Sequence, residues 1–292
     1  MRTALPTVSR VIALTIILFI CFAVAGGVVG PQGTVPPAEQ AGAAGALLAV
    51  CFLDTLVLTH IILRSRWAGW RLIATVFFVF YGVTTFMSQI ESAVFITRLP
   101  SGMLPRLFVM GALIAAPFAA LAVLILGKRR ADPANTEPNA RLVMPAGEWA
   151  WKLAVIAVAY VTLYFTFGYF IAWRNAAVRE YYGGIDPGGL IAQMGTVLRN
   201  TPWLVPFQIL RAMLWVGIAL PVIRMSKGPS WETALAIGLL FAVVMNSQLL
   251  LPNPYMPEAV RMAHLLETAS SNLIFGLFVG WLLMRRRELF AA

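Results

Sequence analysis

Residues 107–126, LFVMGALIAAPFAALAVLIL, form an uninterrupted apolar stretch that is closed by the basic triplet Lys128, Arg129 and Arg130. A helix needs about 20 apolar residues to cross about 30 Å of hydrocarbon. Seven similar stretches lie along the chain, at residues 11–29, 44–63, 72–90, 153–172, 207–223, 234–251 and 262–284. The sequence therefore predicts an all-α membrane protein, a polytopic bundle of about eight transmembrane helices, which we number as spans 1 to 8 in chain order.

The composition and the placement of charge agree with this class. Hydrophobic residues make up 60% of the chain and charged residues only 12%, whereas soluble proteins carry about 25% charged residues. The net charge of +10 does not require a nucleic acid partner, because 15 of the 22 Lys and Arg residues fall in segments on the N-terminal side of the membrane. By the positive-inside rule, we expect both termini in the cytoplasm of a bacterial-type inner membrane, with membrane lipids as partners.

Two questions stay open at this point. Span 1 ends with Ala23-Val24-Ala25, which has the form of a signal-peptidase site, so cleavage there would leave seven spans. The apolar run continues to Val29, which favours a retained helix. The oligomeric state is the second open question, since no pattern in the chain addresses it.

A polar segment divides the chain near its middle. Residues 131–148 contain Asp132-Pro133 and Glu137-Pro138, a composition that favours a cytoplasmic linker. We expect it to separate a first four-helix half, residues 1–130, from a second four-helix half, residues 149–292.

The two halves resemble each other weakly. When Arg106 before span 4 is aligned with Arg261 before span 8, Arg130 aligns with Arg285. Spans 3 and 7 also each end in a Ser-Gln pair. Two parallel four-helix repeats would explain this similarity. The alternative is chance similarity between apolar segments with the same charge bias.

The most unusual polar stretch lies at the start of span 8. Residues 257–272 read PEAVRMAHLLETASSN. On a helix with about 100° per residue, the charged and polar residues of this stretch fall within half of the circumference. Charge at membrane depth is costly, so this stripe marks a candidate functional site.

Other spans bring polar residues to the same predicted outer end of the bundle. These residues are Gln89, Glu91, Arg98, Arg106, Gln208, Arg211, Asn246, Gln248 and Asn253. Three interpretations of the combined cluster stay open. In the first, Glu91 and Glu267 only neutralise arginines and orient the helices, so that the protein is a structural subunit.

The second interpretation is an outward-facing site that binds or transports an anionic, lipid-like substrate. Arginine suits this role because its planar guanidinium makes two parallel contacts with a carboxylate or a phosphate. The residues predicted to bind this substrate are Arg98, Arg106, Arg211, Arg261, Gln89, Asn246, Gln248 and Asn272.

The third interpretation is a membrane enzyme that acts on a lipid-linked substrate by acid–base chemistry. His264 and Glu267 are three residues apart on one helix, and Glu91 is predicted to face them from span 3. A histidine beside a carboxylate can transfer protons near neutral pH.

The sequence predicts no metal site and no cofactor. His264 and Glu267 supply only two ligands, and the chain has no CxxC, HExxH, P-loop or GxGxxG motif. Asp54 is a separate feature, because it lies near the middle of span 2. It is either a proton-coupling residue or a protonated acid that bonds to a neighbouring helix.

Overall fold

The structure is a computed structural model that describes residues 6–30, 37–96, 99–130, 139–186 and 188–285, with backbone alone at 37–41. Within these residues it contains helices and no strand, and eight of the helices are long and apolar enough to cross a membrane. The prediction of an all-α bundle with eight spans is therefore confirmed. The chain has the architecture of an integral, multi-pass membrane protein.

The spans follow one another as antiparallel neighbours along the chain. Their bounds are Thr7–Val29 for span 1, Pro37–Leu63 for span 2, Gly69–Phe95 for span 3, Met103–Ile125 for span 4, Ala146–Trp173 for span 5, Leu204–Met225 for span 6, Ser230–Leu250 for span 7 and Glu258–Met284 for span 8.

Spans 3, 5 and 7 are not regular throughout. Each contains a π-helical turn, at Gly82–Phe86, Gly168–Trp173 and Leu240–Val244, and span 7 then ends in a 3-10 turn, Ser247–Leu250. A π turn releases backbone groups from the regular ladder and is frequent at functional sites. All three irregular segments lie toward the end of the bundle where the odd-numbered spans finish.

Two short helices follow span 5 at the same end of the bundle. The first loop helix is Ala176–Tyr182, and its N-cap residue Asn175 accepts a hydrogen bond from the backbone nitrogen of Ala177 at 2.9 Å. The second loop helix, Leu190–Asn200, has no buried residue. We call this end of the bundle the loop-helix end, and the opposite end, where spans 2, 4, 6 and 8 finish, the terminal end.

The spans pack as two rings of four. In the first half span 1 contacts spans 2 and 4, and span 3 contacts the same two helices; in the second half spans 5 and 7 contact spans 6 and 8 in the same order. The halves meet through the pairs 2 with 7, 3 with 6 and 3 with 7. Exchanging the halves maps these three contacts onto themselves, as parallel repeats require. The repeat stays a prediction, because any two antiparallel four-helix bundles would pack neighbours in this order.

The loops at the terminal end join the halves by backbone hydrogen bonds. Arg66 donates to the carbonyl of Met225 at 2.7 Å, and Lys227 donates to the carbonyl of Arg64 at 2.9 Å. Together they form one antiparallel bridge that pairs Ser65 with Ser226.

Glycines bring spans 7 and 8 into close contact. A Cβ atom on Gly276 would lie 2.7 Å from the Cα atom of Gly238, and one on Gly280 would lie 2.6 Å from the Cα atom of Ala234. Small residues permit such a close backbone approach in membrane proteins. The part of span 8 that follows the polar stripe is thereby held against span 7.

Candidate functional site

The polar stripe at the start of span 8 faces the protein. Span 8 begins at Glu258, and Arg261, Glu267 and Asn272 are buried along it. Leu266, on the opposite side of the helix, is 63% exposed. These buried polar residues therefore lie on the side of the helix away from Leu266, as a shared helical face requires.

Arg211 and Glu91 form an ion pair between spans 6 and 3. One guanidinium nitrogen, Nη2, lies 2.7 Å from Glu91 Oε2, and Nη1 donates to Oε1 at 3.3 Å. Gln208 Oε1 accepts a second bond from Nη1 at 3.1 Å. The fork of the guanidinium thus matches the two oxygens of the carboxylate, which is the strongest form of this contact.

Aromatic rings surround the guanidinium of Arg211. Its central carbon lies 5.8 Å from the ring centre of Tyr160 and 5.9 Å from that of Phe207. The arginine side chain is only 4% exposed, whereas the Glu91 side chain is 30% exposed. The carboxylate is therefore the more accessible partner of the pair.

A second hydrogen-bonded group lies on span 8. His264 Nδ1 is 2.7 Å from Glu267 Oε2, and His264 Nε2 is 3.1 Å from the hydroxyl of Tyr182 on the first loop helix. Burial raises the pKa of Tyr182, and the charge of Glu91 raises it further. The hydroxyl therefore keeps its proton and can donate to Nε2, which leaves the Nδ1 proton of a neutral imidazole for Glu267.

The backbone of span 5 leaves room for Glu267. A Cβ atom on Gly168, the first residue of the π turn, would lie 3.3 Å from Glu267 Oε1. A larger residue at this position would press on the carboxylate. The irregular turn and the glycine together admit a charged side chain at a depth of about 13 Å from the start of span 8, at about 1.5 Å per residue.

The two groups form one cluster. The charges of Glu91 and Glu267 both act on Tyr160, Tyr182 and His264. We define the polar cluster as Glu91, Tyr182, Gln208, Arg211, His264 and Glu267. It contains two carboxylates, one arginine and one histidine, so its net charge depends on the protonation of His264.

Other predicted site residues hold the connection between spans 7 and 8. Arg261 is buried and donates to the carbonyls of Leu249 at 3.1 Å and Leu251 at 2.6 Å. Asn246 donates to the carbonyl of Ala242 at 2.8 Å, in the π turn, and accepts from Thr268 at 2.6 Å. These side chains satisfy backbone groups that the irregular end of span 7 leaves free.

The remaining predicted binding residues are spread more widely. Gln248 lies 3.5 Å from the carbonyl of Thr84, Gln89 is half-buried, and Asn272 is buried deeper along span 8. Arg106 is exposed and makes no ion pair with a described residue. Arg98 lies outside the described residues. The described arginines of the predicted anion site therefore do not converge on one point, and Arg211 alone belongs to the polar cluster.

Sequence reasoning missed two features near this site. Tyr182 was not among the predicted site residues, yet its hydroxyl bonds to His264. Tyr160, whose hydroxyl accepts from Trp215 Nε1 at 3.3 Å, faces Arg211 from span 5. No local pattern marks either tyrosine, because their roles depend on how the first loop helix and span 5 pack against span 8.

A separate charged group lies at the terminal end. Glu232 of span 7 accepts a hydrogen bond from Arg64, and its Oε1 is 3.3 Å from His60 Nε2 of span 2. These three side chains line a small pocket together with Ser226 and Thr233. They join the halves at the end opposite to the polar cluster.

The described residues contain no group of three or more His, Cys, Asp or Glu side chains that could hold a metal ion. Comparison of the chain with protein-family models, with curated proteins and with solved structures finds no match.

Proposed function

We propose that this membrane protein binds, or carries across an inner membrane, an anionic, lipid-like substrate at an outward-facing polar cluster. Arg211 is the side chain that contacts the anionic group. The observation that carries the proposal is the two-pronged contact of Arg211 with Glu91. A substrate carboxylate or phosphate would be recognised by the same geometry.

Glu91 acts in this proposal as an internal competitor of the substrate. Its side chain is 30% exposed while that of Arg211 is 4% exposed, so an anion approaching from the open side meets the carboxylate first. Displacing Glu91 moves that carboxylate toward water and leaves the buried guanidinium paired. The exchange avoids an isolated buried charge, which would be costly.

Two buried donors support an anion with more acceptor atoms than a carboxylate has. Arg211 Nε and Gln208 Nε2 have no hydrogen-bond partner among the described residues. Buried polar groups without partners are destabilising. A phosphate oxygen beside the guanidinium would accept from these donors as well as from the two terminal nitrogens.

The surface beside the cluster suits an apolar chain. Ile209 and Leu210 flank Arg211 on span 6, and Leu266 flanks Glu267 on span 8; all three are exposed apolar side chains. An amphiphile could therefore lay its chain along the spans while its head group reaches inward. This placement favours a lipid-like substrate over a small hydrophilic anion.

Binding of dodecyl phosphate to the purified protein tests the proposal. We expect saturable binding that Arg211→Gln weakens by at least about tenfold, or about 1.4 kcal/mol. Arg106→Gln is the matched control, because Arg106 lies at the same end of the bundle but is exposed. Dodecanol and dodecyltrimethylammonium, which have the same chain without the anion, should compete poorly.

Equal binding by the wild type and Arg211→Gln would contradict the proposed role of Arg211. Equal affinity for dodecyl phosphate and dodecanol would contradict an anion site. Flux of the bound amphiphile in proteoliposomes then separates a transporter from a binding protein. If Arg211→Gln folds poorly, the double variant Glu91→Gln with Arg211→Gln replaces it. This variant lacks the guanidinium but leaves no unpaired charge.

A second candidate function rests on the Tyr182, His264 and Glu267 hydrogen bonds. A histidine whose Nδ1 bonds to a carboxylate is oriented as a general base needs to be. We therefore keep a membrane enzyme with acid–base chemistry as the alternative. Incubation with a membrane lipid extract, followed by mass spectrometry, should show a product that Glu267→Gln abolishes; identical lipid profiles for the two proteins would exclude this function for the lipids present.

A further inference from the structure

A fully buried acid lies between the two halves, away from the polar cluster. Asp54 is 0% exposed and lies in the middle part of span 2, about 18 Å from Gly42 and about 14 Å from Leu63 at about 1.5 Å per residue. Span 2 packs here against span 7 of the other half. An unpaired carboxylate at this depth is expensive unless a positive charge neutralises it.

Only one oxygen of this carboxyl group has a protein partner. Ser247 Oγ donates to Asp54 Oδ1 at 2.9 Å, from the first residue of the 3-10 turn that ends span 7. Asp54 Oδ2 is buried and has no hydrogen-bond partner among the described residues. The carboxyl group therefore retains an unused acceptor that points into the protein.

Two threonine hydroxyls that follow Asp54 along span 2 also have no partner among the described residues. Thr55 is 0% exposed and Thr59 is 5% exposed, and neither hydroxyl has a partner among the described residues. Threonines on other helices behave differently, since Thr15 and Thr75 each donate to the carbonyl four residues earlier. The hydroxyls of Thr55 and Thr59 thus do not bond to the carbonyl four residues earlier. Together with Asp54 Oδ2, they are three buried oxygens without a partner in the described part of the chain.

No cationic side chain neutralises Asp54 among the described residues. Its ionisable neighbours are thiols: Cys51 on span 2 interacts with Asp54, and Cys21 on span 1 interacts with Cys51. Span 3 contributes Tyr81 as its nearest ionisable residue in sequence to the π turn, and residues 240–250 of span 7 contain none. The nearest charged group of span 7 is Glu232, which is paired at the terminal end.

We propose that Asp54, Thr55, Thr59 and Ser247 form a buried binding site for a monovalent cation, H⁺ or Na⁺, between the two halves. Both cations neutralise the carboxylate, and Na⁺ prefers hard oxygen ligands of the kind present here. Coupling ions bind near the membrane midplane at the interface of repeats, where a helix is irregular. The site does not depend on the proposed anion site, since it can be measured without an amphiphile.

Thermal unfolding of the purified protein tests this site in two arms. In the first, pH is raised from 5.5 to 8.5 in choline chloride; in the second, choline is replaced by Na⁺ or K⁺ at pH 8.5. We expect the unfolding temperature to fall by several degrees as the proton is removed. Recovery with Na⁺ but not K⁺ identifies a sodium site, and no recovery identifies a proton site.

Asp54→Asn removes the charge while keeping the shape, so its unfolding temperature should fall less with rising pH than that of the wild type and should not respond to Na⁺. The hydroxyl variant Thr55→Val with Thr59→Val should raise the Na⁺ concentration needed for half of the effect. Thr15→Val is the matched control, because Thr15 is equally buried but bonded to Val11.

Two results would overturn the proposal. One is a wild-type protein whose unfolding temperature responds neither to pH nor to Na⁺ over this range. The other is an Asp54→Asn protein with unchanged responses, since the titrating group would then lie elsewhere. If Asp54→Asn does not fold, infrared spectra of the wild type and Ser247→Ala decide instead: a protonated-carboxyl band that shifts when the serine is removed supports the site, and no shift contradicts it.

Discussion

Spans 4 and 8 close the two halves of the chain, yet the first turns of these helices meet different surroundings. Arg106 at the start of span 4 is exposed, whereas the aligned Arg261 is buried and bonds to the carbonyls of Leu249 and Leu251. Val109 is exposed on span 4, while the aligned His264 bonds to Tyr182. Span 8 therefore turns a polar face into the protein where span 4 turns an apolar face outward.

The same two spans end alike at the terminal end. Arg10 of span 1 donates to the carbonyl of Leu126, just after span 4, at 3.3 Å. Lys152 of span 5 donates to the carbonyl of Arg285, just after span 8, at 2.7 Å. In each half a basic side chain of the first span thus satisfies a free carbonyl at the end of the fourth.

Some features of spans 4 and 8 are common to both halves, whereas others belong to the polar cluster. The caps and the close packing of neighbouring spans occur in both halves, so they belong to the construction of a four-helix unit. The polar cluster draws on span 3 of the first half, on spans 6 and 8 of the second half, and on the first loop helix, which has no counterpart among the described residues of the first half. The candidate site therefore combines residues of both halves with a loop helix that, among the described residues, only the second half contains.

The largest expected effect concerns the close packing of the fourth span in each half. A Cβ atom on Gly276 would lie 2.8 Å from the backbone oxygen of Ile237, whereas one on Gly111 would meet the side chain of Thr85 at 2.0 Å. We expect Gly276→Ala to cost about 3 kcal/mol of unfolding free energy, because backbones must separate. Gly111→Ala should cost about 1 to 2 kcal/mol, since a side chain can rotate and shift.

Gly217→Ala is the control for this pair. A Cβ atom on Gly217 would have no atom within 4 Å, so this substitution should be neutral or slightly stabilising. Unfolding in denaturant measures all three variants in the same detergent. If Gly276→Ala is as stable as Gly217→Ala, the backbones of spans 7 and 8 are farther apart than the structure shows.

The next effect concerns the ion pair that joins the two halves at the loop-helix end, between Arg211 of span 6 and Glu91 of span 3. Arg211→Gln leaves Glu91 without its partner and should cost about 2 kcal/mol, less than a fully buried pair because Glu91 is partly exposed. Arg106→Gln, at the corresponding end of the first half, should cost almost nothing. Thermal unfolding of the two single variants measures this contrast.

The double variant separates the effect of Arg211 on stability from its effect on binding. Combining Glu91→Gln with Arg211→Gln removes both charges and should recover most of the lost stability, because no charge is left unpaired. If the arginine serves only to pair with Glu91, binding of dodecyl phosphate should be unaffected in the double variant. Under the proposed function, the recovered protein still binds poorly.

The fold could be predicted from sequence because each span is a long apolar run. An apolar run such as 107–126 has no alternative to a transmembrane helix. That polar residues of span 8 share one helical face was also predictable, since His264 and Glu267 are three residues apart. The irregular turns were not, because a π turn such as Gly168–Trp173 has no sequence signature of its own.

The partners of the charged residues could not be predicted from their spacing. Arg211 pairs with Glu91 of span 3 and not with Glu267, which is decided by how spans 3 and 6 meet across the halves. Arg261 was predicted to bind an anion, and in the structure it donates to two backbone carbonyls between spans 7 and 8. The path of that connection cannot be read from the sequence. Side-chain chemistry suggested the candidate arginines, and only the packing shows which described arginine joins the polar cluster.

The smallest effect concerns the hydrogen bond between the first loop helix and span 8. Tyr182→Phe removes the hydroxyl that contacts His264 Nε2 and should cost about 1 kcal/mol of stability. Glu267 then holds the Nδ1 proton without the help of a donor at Nε2, so the share of the form protonated at Nε2 should rise. Nitrogen NMR of histidine-labelled protein detects this change, because the chain has only 2 histidines.

Tyr181→Phe is the matched control, because the neighbouring hydroxyl donates to the carbonyl of Tyr255 at 2.6 Å and does not contact the histidine. Both variants should lose similar stability, but only Tyr182→Phe should move the His264 resonances away from the form protonated at Nδ1. His60, at the terminal end, gives the internal reference signal. Unchanged His264 resonances in Tyr182→Phe would mean that Glu267 alone orients the ring, and the loop helix would then shield the polar cluster without tuning its chemistry.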